Sequence, residues 1–299
     1  MKRLLLRAAA AALLGAVPAW AAATRVNEVV ATKNLKEPTR VAVMTPPSYE
    51  TEPSRRFPVL YFLHDAQGDE GVLWREKVAD TLFEAMRAGN LPELLLVAPR
   101  GNGSWFVDSY NGASRYAAFL SEDLVPFIES RYRVLPDRAS RAAAGISMGG
   151  YGAIRWGLAR PDLFTAVAGL SPAVQQLDLA GVQALPFFIR PSLTRVFGRT
   201  GRANNLRAND LYDMLLSNPD LGARAPEVLV RCGTEDKYRL AEIAGFFSKY
   251  LDAMGVVHTV TLESGVHDWP YWRQAFPALA RALGDRLAPK ARALPGAAP

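Results

Sequence analysis

The stretch AAAGISMGGYGAIRWG, residues 142–157, decides how this chain is read. A run of small residues ends on a lone serine, Ser147, with Gly145 and Gly149 two positions to either side, and a helical pattern follows at once. This is the G-x-S-x-G arrangement placed between a strand and a helix, where a sharp turn lifts a serine hydroxyl above the sheet. Glycine is required on both sides because the turn leaves no room for a side chain. The helix that follows points the positive end of its dipole at the serine. Gly150 and Gly152 extend the small-residue face that packs this helix on the sheet.

Working outward, short apolar runs alternate with helical patterns. Strands are predicted at 40–46 (RVAVMTP), 57–63 (FPVLYFL), 93–99 (ELLLVAP), 142–147, 164–171 (FTAVAGLS), 227–232 (EVLVRC) and 258–264 (HTVTLES). Helices are predicted at 76–89, 114–131, 150–160, 238–254 and 271–287. That alternation implies an α/β fold, a mostly parallel sheet with helices on both faces. Unbroken apolar strands fit, since such strands are buried on both sides.

Composition narrows the classes. With 299 residues, 49% of them hydrophobic and 21% charged, the chain is long enough to bury one large core. The opening MKRLLLRAAAAALLGAVPAWAAA has a basic start, an apolar stretch and the small-x-small triplet Ala19-Trp20-Ala21, so residues 1–21 are expected to be a cleaved signal peptide. The expected location is therefore secreted or periplasmic. Residues 22–287 are expected to form one catalytic domain and 288–299 a frayed tail. No later run reaches the roughly 18 apolar residues that a membrane helix needs, so no stable membrane insertion is expected after cleavage. The formal charge of +6 includes three cations before residue 22 (Lys2, Arg3, Arg7) and no acid, which leaves 6 − 3 = +3 on the remainder. Dispersed arginines at that balance give no reason to expect a nucleic-acid partner. Cys232 is the only cysteine, so no internal disulfide can form.

A serine hydroxyl is a poor nucleophile until a base takes its proton and an acid orients that base. In the strand-turn-helix setting the chain order is serine, acid, histidine, so His64, which precedes Ser147, is not the expected base. His258 opens an alternating strand and reads as a strand residue. His267 lies in SGVHDWPYW, a loop between the last strand and the last helix, where such a base would be held. The acid is expected in RCGTEDKY, which offers Asp236 and, in reserve, Glu235. The oxyanion donors are expected to be the N–H of Met148 and one from HDAQGDEGVLW, the loop after the second apolar strand. His64 in that loop is expected to organise the turn.

The segment 172–222 breaks the alternation with Pro, Gly, Arg and Asn, and is expected to cap or shape the site. With Trp105, Trp269 and Trp272 it is expected to form the acyl or alcohol pocket. Its arginines Arg190, Arg195, Arg199 and Arg202 could hold a polar or anionic leaving group. Three scattered histidines and one cysteine do not supply a metal site, and no cofactor is expected.

Taken in order, FPVLYFLHDAQGDE, DLVPFIESRYRV, RAAAGISMGGYGAIRWGLARPDLFTAVAGLSPAV, VFG, RCGTEDKY and SGVHDWPYWRQAF resemble the esterase D-like family, over about residues 35–285. That group includes S-formylglutathione hydrolases, feruloyl esterases, small-ester hydrolases and secreted mycolyltransferases. The resemblance implies an α/β-hydrolase fold, carries the triad onto Ser147, Asp236 and His267, and makes Met148 one oxyanion donor. The family commonly has His-Gly where this chain has His64-Asp65. An ungapped alignment makes Ala66 the second donor; a shift of one residue makes it Gln67. Asp65 is expected to point away from the developing oxyanion and to fix the loop. The expected activity is a secreted serine esterase acting on small-molecule or carbohydrate esters with short acyl chains. The alternative is an acyltransferase that hands the acyl group to a sugar or lipid alcohol.

Overall fold

In the computed structural model, which describes residues 23–176, 187, 189–198 and 203–287, short strands, the central ones buried along their whole length, assemble into one sheet. The strands are β1 (Arg25–Val30), β2 (Thr39–Met44), β3 (Val59–Leu63), β4 (Leu95–Pro99), β5 (Arg141–Ile146), β6 (Ala166–Leu170), β7 (Glu227–Gly233) and β8 (His258–Glu263). Their order across the sheet is β1-β2-β4-β3-β5-β6-β7-β8. The β1–β2 and β2–β4 pairs are antiparallel; the other neighbours are parallel. All strands predicted from the sequence are present. β1 is added at the edge, where RVNEVV is half polar and, among the described residues, pairs on one side only.

Alternate residues of each strand serve opposite faces. Val41, Val43, Tyr61, Val97 and Ala143 join one core cluster, while Ala42, Phe62, Leu96 and Ala144 join the other. Both clusters are covered by helices, which is why the central strands carry no polar side. On the first face lie α2 (Val125–Arg131, continuing a π-helical turn over Phe119–Leu124), α3 (Met148–Ala159) and α7 (Leu240–Ala253). On the second lie α1 (Val78–Arg87) and α8 (Trp269–Leu287), with Phe62 meeting Phe276 edge to face at 5.1 Å. The connection between β6 and β7 holds α4 (Arg190–Phe197), α5 (Ala203–Asn209) and α6 (Leu211–Leu216).

The expected leader (1–21) and tail (288–299) lie outside the described residues, as do Arg199 and Arg202. No helix among the described residues is long and apolar enough to cross a membrane.

The parallel strands place their connections on one edge. Loops after β3, β4, β5, β7 and β8 all emerge there, where ligands bind in open α/β sheets. The candidate residues of the sequence sit on these loops.

Candidate active site

Ser147 occupies the turn from β5 into α3 with φ 53° and ψ −114°. A residue with a side chain pays about 1–3 kcal/mol for such backbone, so neighbours must hold it there. The Ser147 N–H donates to the Leu170 carbonyl at 2.9 Å, and the Ser147 carbonyl accepts from Tyr151 and Ala173, both at 3.1 Å. A β-carbon at Gly149 would be driven into the Leu63 carbonyl, and one at Gly145 into the Gly149 backbone. The glycines therefore let the turn settle on the end of β3.

His267 follows β8. Its Nε2 lies 3.0 Å from Ser147 Oγ and its Nδ1 2.7 Å from Asp236 Oδ2. Asp236 follows β7 with a fully buried side chain, and its other oxygen accepts the Tyr238 N–H at 2.9 Å. A carboxylate can only accept, so Nδ1 carries the proton it donates to Asp236, and Nε2 is left to accept from the serine hydroxyl. Tyr238 and Trp272 meet the imidazole edge to face, with ring centroids at 4.9 and 4.8 Å. The Trp272 indole N–H donates to Ser171 Oγ at 3.2 Å. These supports were not read from the sequence; the one local signal was the position of Tyr238, two residues past Asp236.

The other candidates fall elsewhere. Glu235 is on the surface and bonds to Gly265, not to His267. His258 bonds Ser248 Oγ at 2.7 Å and the Val256 carbonyl at 2.9 Å, as a strand residue would. His64 organises the turn after β3. Its Nδ1–H donates to the Asp65 carbonyl at 2.7 Å and its Nε2 accepts the Gly101 N–H at 2.8 Å, which ties the β3 and β4 loops together. Burial pushes this imidazole below the ordinary histidine range, against the opposing pull of the Asp65 carbonyl.

Asp65 fixes its loop as expected, since Oδ2 accepts the Gln67 N–H at 3.3 Å. Burial pushes its carboxyl above the usual carboxylate range, with the Gln67 N–H opposing. It does not leave the site altogether, however, for it lines the same cavity as Ser147. The bond also bears on the two oxyanion candidates. The Gln67 N–H is engaged, whereas among the described residues neither the exposed Ala66 nor Met148 donates its N–H to a protein acceptor.

A cavity of about 470 Å³ opens over Ser147 and His267. Trp269, Trp272 and Tyr238 form part of its wall, Ala66 and Gln67 another part, and Ile189 is the contribution of the 172–222 segment among the described residues. Trp105 does not line it, contrary to expectation. It is 1% exposed, packs on Tyr151 and Phe197, and its indole N–H donates to Ser192 Oγ at 3.0 Å, which anchors α4. Among the described residues no group of His, Cys, Asp and Glu could hold a metal ion.

A hydroxyl, an imidazole and a carboxylate bonded in series can move a proton off the serine as the serine attacks. The family model described as "Putative esterase" matches residues 32–283. The chain belongs to this esterase family. An acetyl esterase from Caldicellulosiruptor saccharolyticus is 26% identical over 192 residues, 59% of this chain and 66% of that one. A diacylglycerol acyltransferase/mycolyltransferase from Mycobacterium gordonae is 25% identical over 238 residues, 67% of this chain and 64% of that one. This family member thus spans slightly less than two thirds of each of these curated relatives. A solved ferulic acid esterase superposes with a TM-score of 0.75 at 23% identity, covering 89% of this chain and 99% of that one. The shared architecture is the α/β-hydrolase fold.

Proposed function

We propose that the protein is a serine esterase that cleaves carboxylic esters with short acyl chains through an acyl-enzyme on Ser147. The observation that carries this reading is the pair of hydrogen bonds on His267, to Ser147 Oγ at 3.0 Å and to Asp236 Oδ2 at 2.7 Å. Ser147 Oγ attacks the ester carbonyl as its proton passes to His267 Nε2. The carbonyl oxygen takes up the electron pair and is held by the Met148 and Ala66 N–H groups. Collapse breaks the carbon–oxygen bond to the alcohol, which leaves with the proton from Nε2. Water then attacks the acyl-enzyme, again giving its proton to Nε2, and the acid departs as that proton returns to Ser147. Asp236 stays ionised throughout, holding the tautomer and stabilising the imidazolium.

The short-acyl preference is supported by the cavity wall. Charged side chains of Arg75, Glu76, Lys237 and Asp268 share it with the aromatic rings, and such a wall suits a short chain better than a long alkyl tail. A panel of aryl esters tests this. Acetyl to butyryl esters are expected to turn over fastest, with kcat/KM falling for chains beyond about eight carbons. Faster cleavage of palmitoyl than butyryl esters contradicts the reading.

Transfer to an alcohol in place of water is the second reading, favoured by the mycolyltransferase relative. Product analysis with and without added sugar alcohols separates the two. We infer from the basic and apolar leader that the enzyme works outside the cytoplasm. N-terminal sequencing of the exported protein tests that: a start at residue 22 supports it, and an intact Met1 contradicts it.

A further inference from the structure

A second cavity, of about 360 Å³, lies where three segments converge: the β1–β2 connection, the loop after β4, and the C-terminal half of α4. Leu35, Val107, Val196 and Tyr116 give it an apolar floor, and Lys36 and Arg195 stand at it. The Arg195 guanidinium reaches, among the described residues, the carbonyls of Asn102 (3.4 Å) and Gly103 (3.3 Å). Among the described residues, neither it nor Lys36 is paired with an acid. Glu37 is the one acid among the described residues of the lining, beside two cations, so the balance there is positive.

The cavity is built, not incidental. The Trp105 indole holds Ser192 of α4 at 3.0 Å, and the Tyr110 N–H donates to the Val196 carbonyl at 2.7 Å, so α4 is pinned to the β4 loop that forms the other wall. Preformed concavities that combine apolar surface with placed polar groups are where small molecules bind, and here Asn102, Ser104 and Asn111 join the two cations beside the apolar floor.

Its place relative to Ser147 follows from topology. Val41 pairs with Pro99 and Leu63 with Gly145, so the β1–β2 connection and the loops after β3, β4 and β5 share one edge of the sheet. β4 lies two strand spacings from β5 and β2 three, so the β4 loop and the β1–β2 connection stand about 10 Å and about 14 Å from the strand that leads into Ser147. Independently, Ile189 lines the Ser147 cavity while Arg195 and Val196 line the second one, and six or seven helical residues also rise about 10 Å.

The geometry points to this cavity as a distal subsite for the leaving alcohol of an extended ester, one that carries an apolar linker and a terminal carboxylate received by Arg195 and Lys36. This inference rests on the esterase reading of Ser147. Arginine suits the role because its planar fork pairs with a carboxylate while its stem covers apolar surface. Both cations are solvent-facing, so the preference they confer is modest.

The test uses butyrate esters of alcohols that end in a carboxylate, in the isosteric carboxamide, or in a neutral polyol. Each is made with one linker that can span about 10–14 Å and one too short to span about 10 Å. With the long linker the wild-type KM is expected to be roughly 3–10-fold lower for the carboxylate than for the carboxamide. With the short linker the two should be equal. Arg195→Gln combined with Lys36→Gln should remove the preference and leave ethyl butyrate turnover unchanged. Equal KM values for the long carboxylate and carboxamide overturn the subsite, as does a preference that survives both substitutions. A polyol ester that matches the carboxylate overturns the anion assignment. Ser147-dependent turnover of ethyl butyrate with no carboxylate preference rejects the subsite and leaves the esterase reading standing. Calorimetric titration of the Ser147→Ala protein with the free long-linker hydroxy acid gives a readout independent of turnover: binding weakened by Arg195→Gln supports the subsite, and unchanged or absent binding overturns it.

Discussion

Glu235 and Gly265 hydrogen-bond each other in both directions. The Glu235 N–H donates to the Gly265 carbonyl at 3.0 Å, and the Glu235 carboxylate accepts the Gly265 N–H, which holds that carboxyl below its ordinary range. The pair ties the loop that carries Asp236 to the loop that carries His267. The two neighbouring acids thus divide the work: one clamps the loops at the surface, the other meets the imidazole inside. Asp236→Asn is expected to lower kcat by on the order of 10⁴, because an amide no longer fixes the productive tautomer. Glu235→Gln keeps an acceptor for Gly265 and should cost less than about threefold. Steady-state kinetics of both variants check this; the reverse order contradicts the assignment.

The backbone at Ser147 makes a separate prediction. At φ 53° and ψ −114° glycine is unstrained where alanine is not. The flexibility of an unfolded glycine offsets part of that gain. Ser147→Gly is therefore expected to be more stable than Ser147→Ala by about 1 kcal/mol in denaturant unfolding. Equal stability, or a less stable glycine variant, removes the claim of strain.

His64 predicts a pH dependence of stability. Its Nε2 must stay unprotonated to accept the Gly101 N–H, and burial holds the folded-state pKa below the unfolded value. The unfolded chain therefore binds the proton first on acidification. The contribution of His64 is complete above the ordinary histidine pKa and is lost as pH falls from there toward the depressed one. Asp65, with its carboxyl shifted upward, acts in the opposite sense, and the charges of Asp69 and Glu70 also act on the ring. Subtracting the profile of His64→Gln isolates the histidine. The wild-type advantage in Tm is expected to shrink as pH falls from about 6.5; an advantage that grows on acidification contradicts the account.

Strands and helices were legible because both sheet faces are covered. Runs such as VLYFL and LLVAP have no polar side to confuse the period, and Gly145 and Gly149 mark the turn by what they cannot carry. β1 escaped because RVNEVV mixes exposed polar and half-buried residues on an edge. The spacing of Ser147, Asp236 and His267 along the chain could be read from strand ends, because each lies just beyond a strand of the parallel part. What surrounds them could not. The bond from His64 to Gly101 joins positions 37 residues apart, and that from Trp272 to Ser171 joins positions 101 apart, with no periodic signal to announce either. Trp105 was misread for the same reason: an aromatic residue in a loop looks the same in sequence whether it faces substrate or, as here, packs on Tyr151 and Phe197.

The nucleophile is the centre of the account, and kcat for a butyryl ester compared between wild type and Ser147→Ala tests it most directly. The hydroxyl that His267 Nε2 meets at 3.0 Å is the group proposed to carry the acyl chain, and triad members act as a unit. With circular dichroism unchanged, the variant is expected to lose a factor of roughly 10⁴–10⁶ in kcat. A folded Ser147→Ala protein that keeps more than about a tenth of wild-type turnover contradicts the assignment.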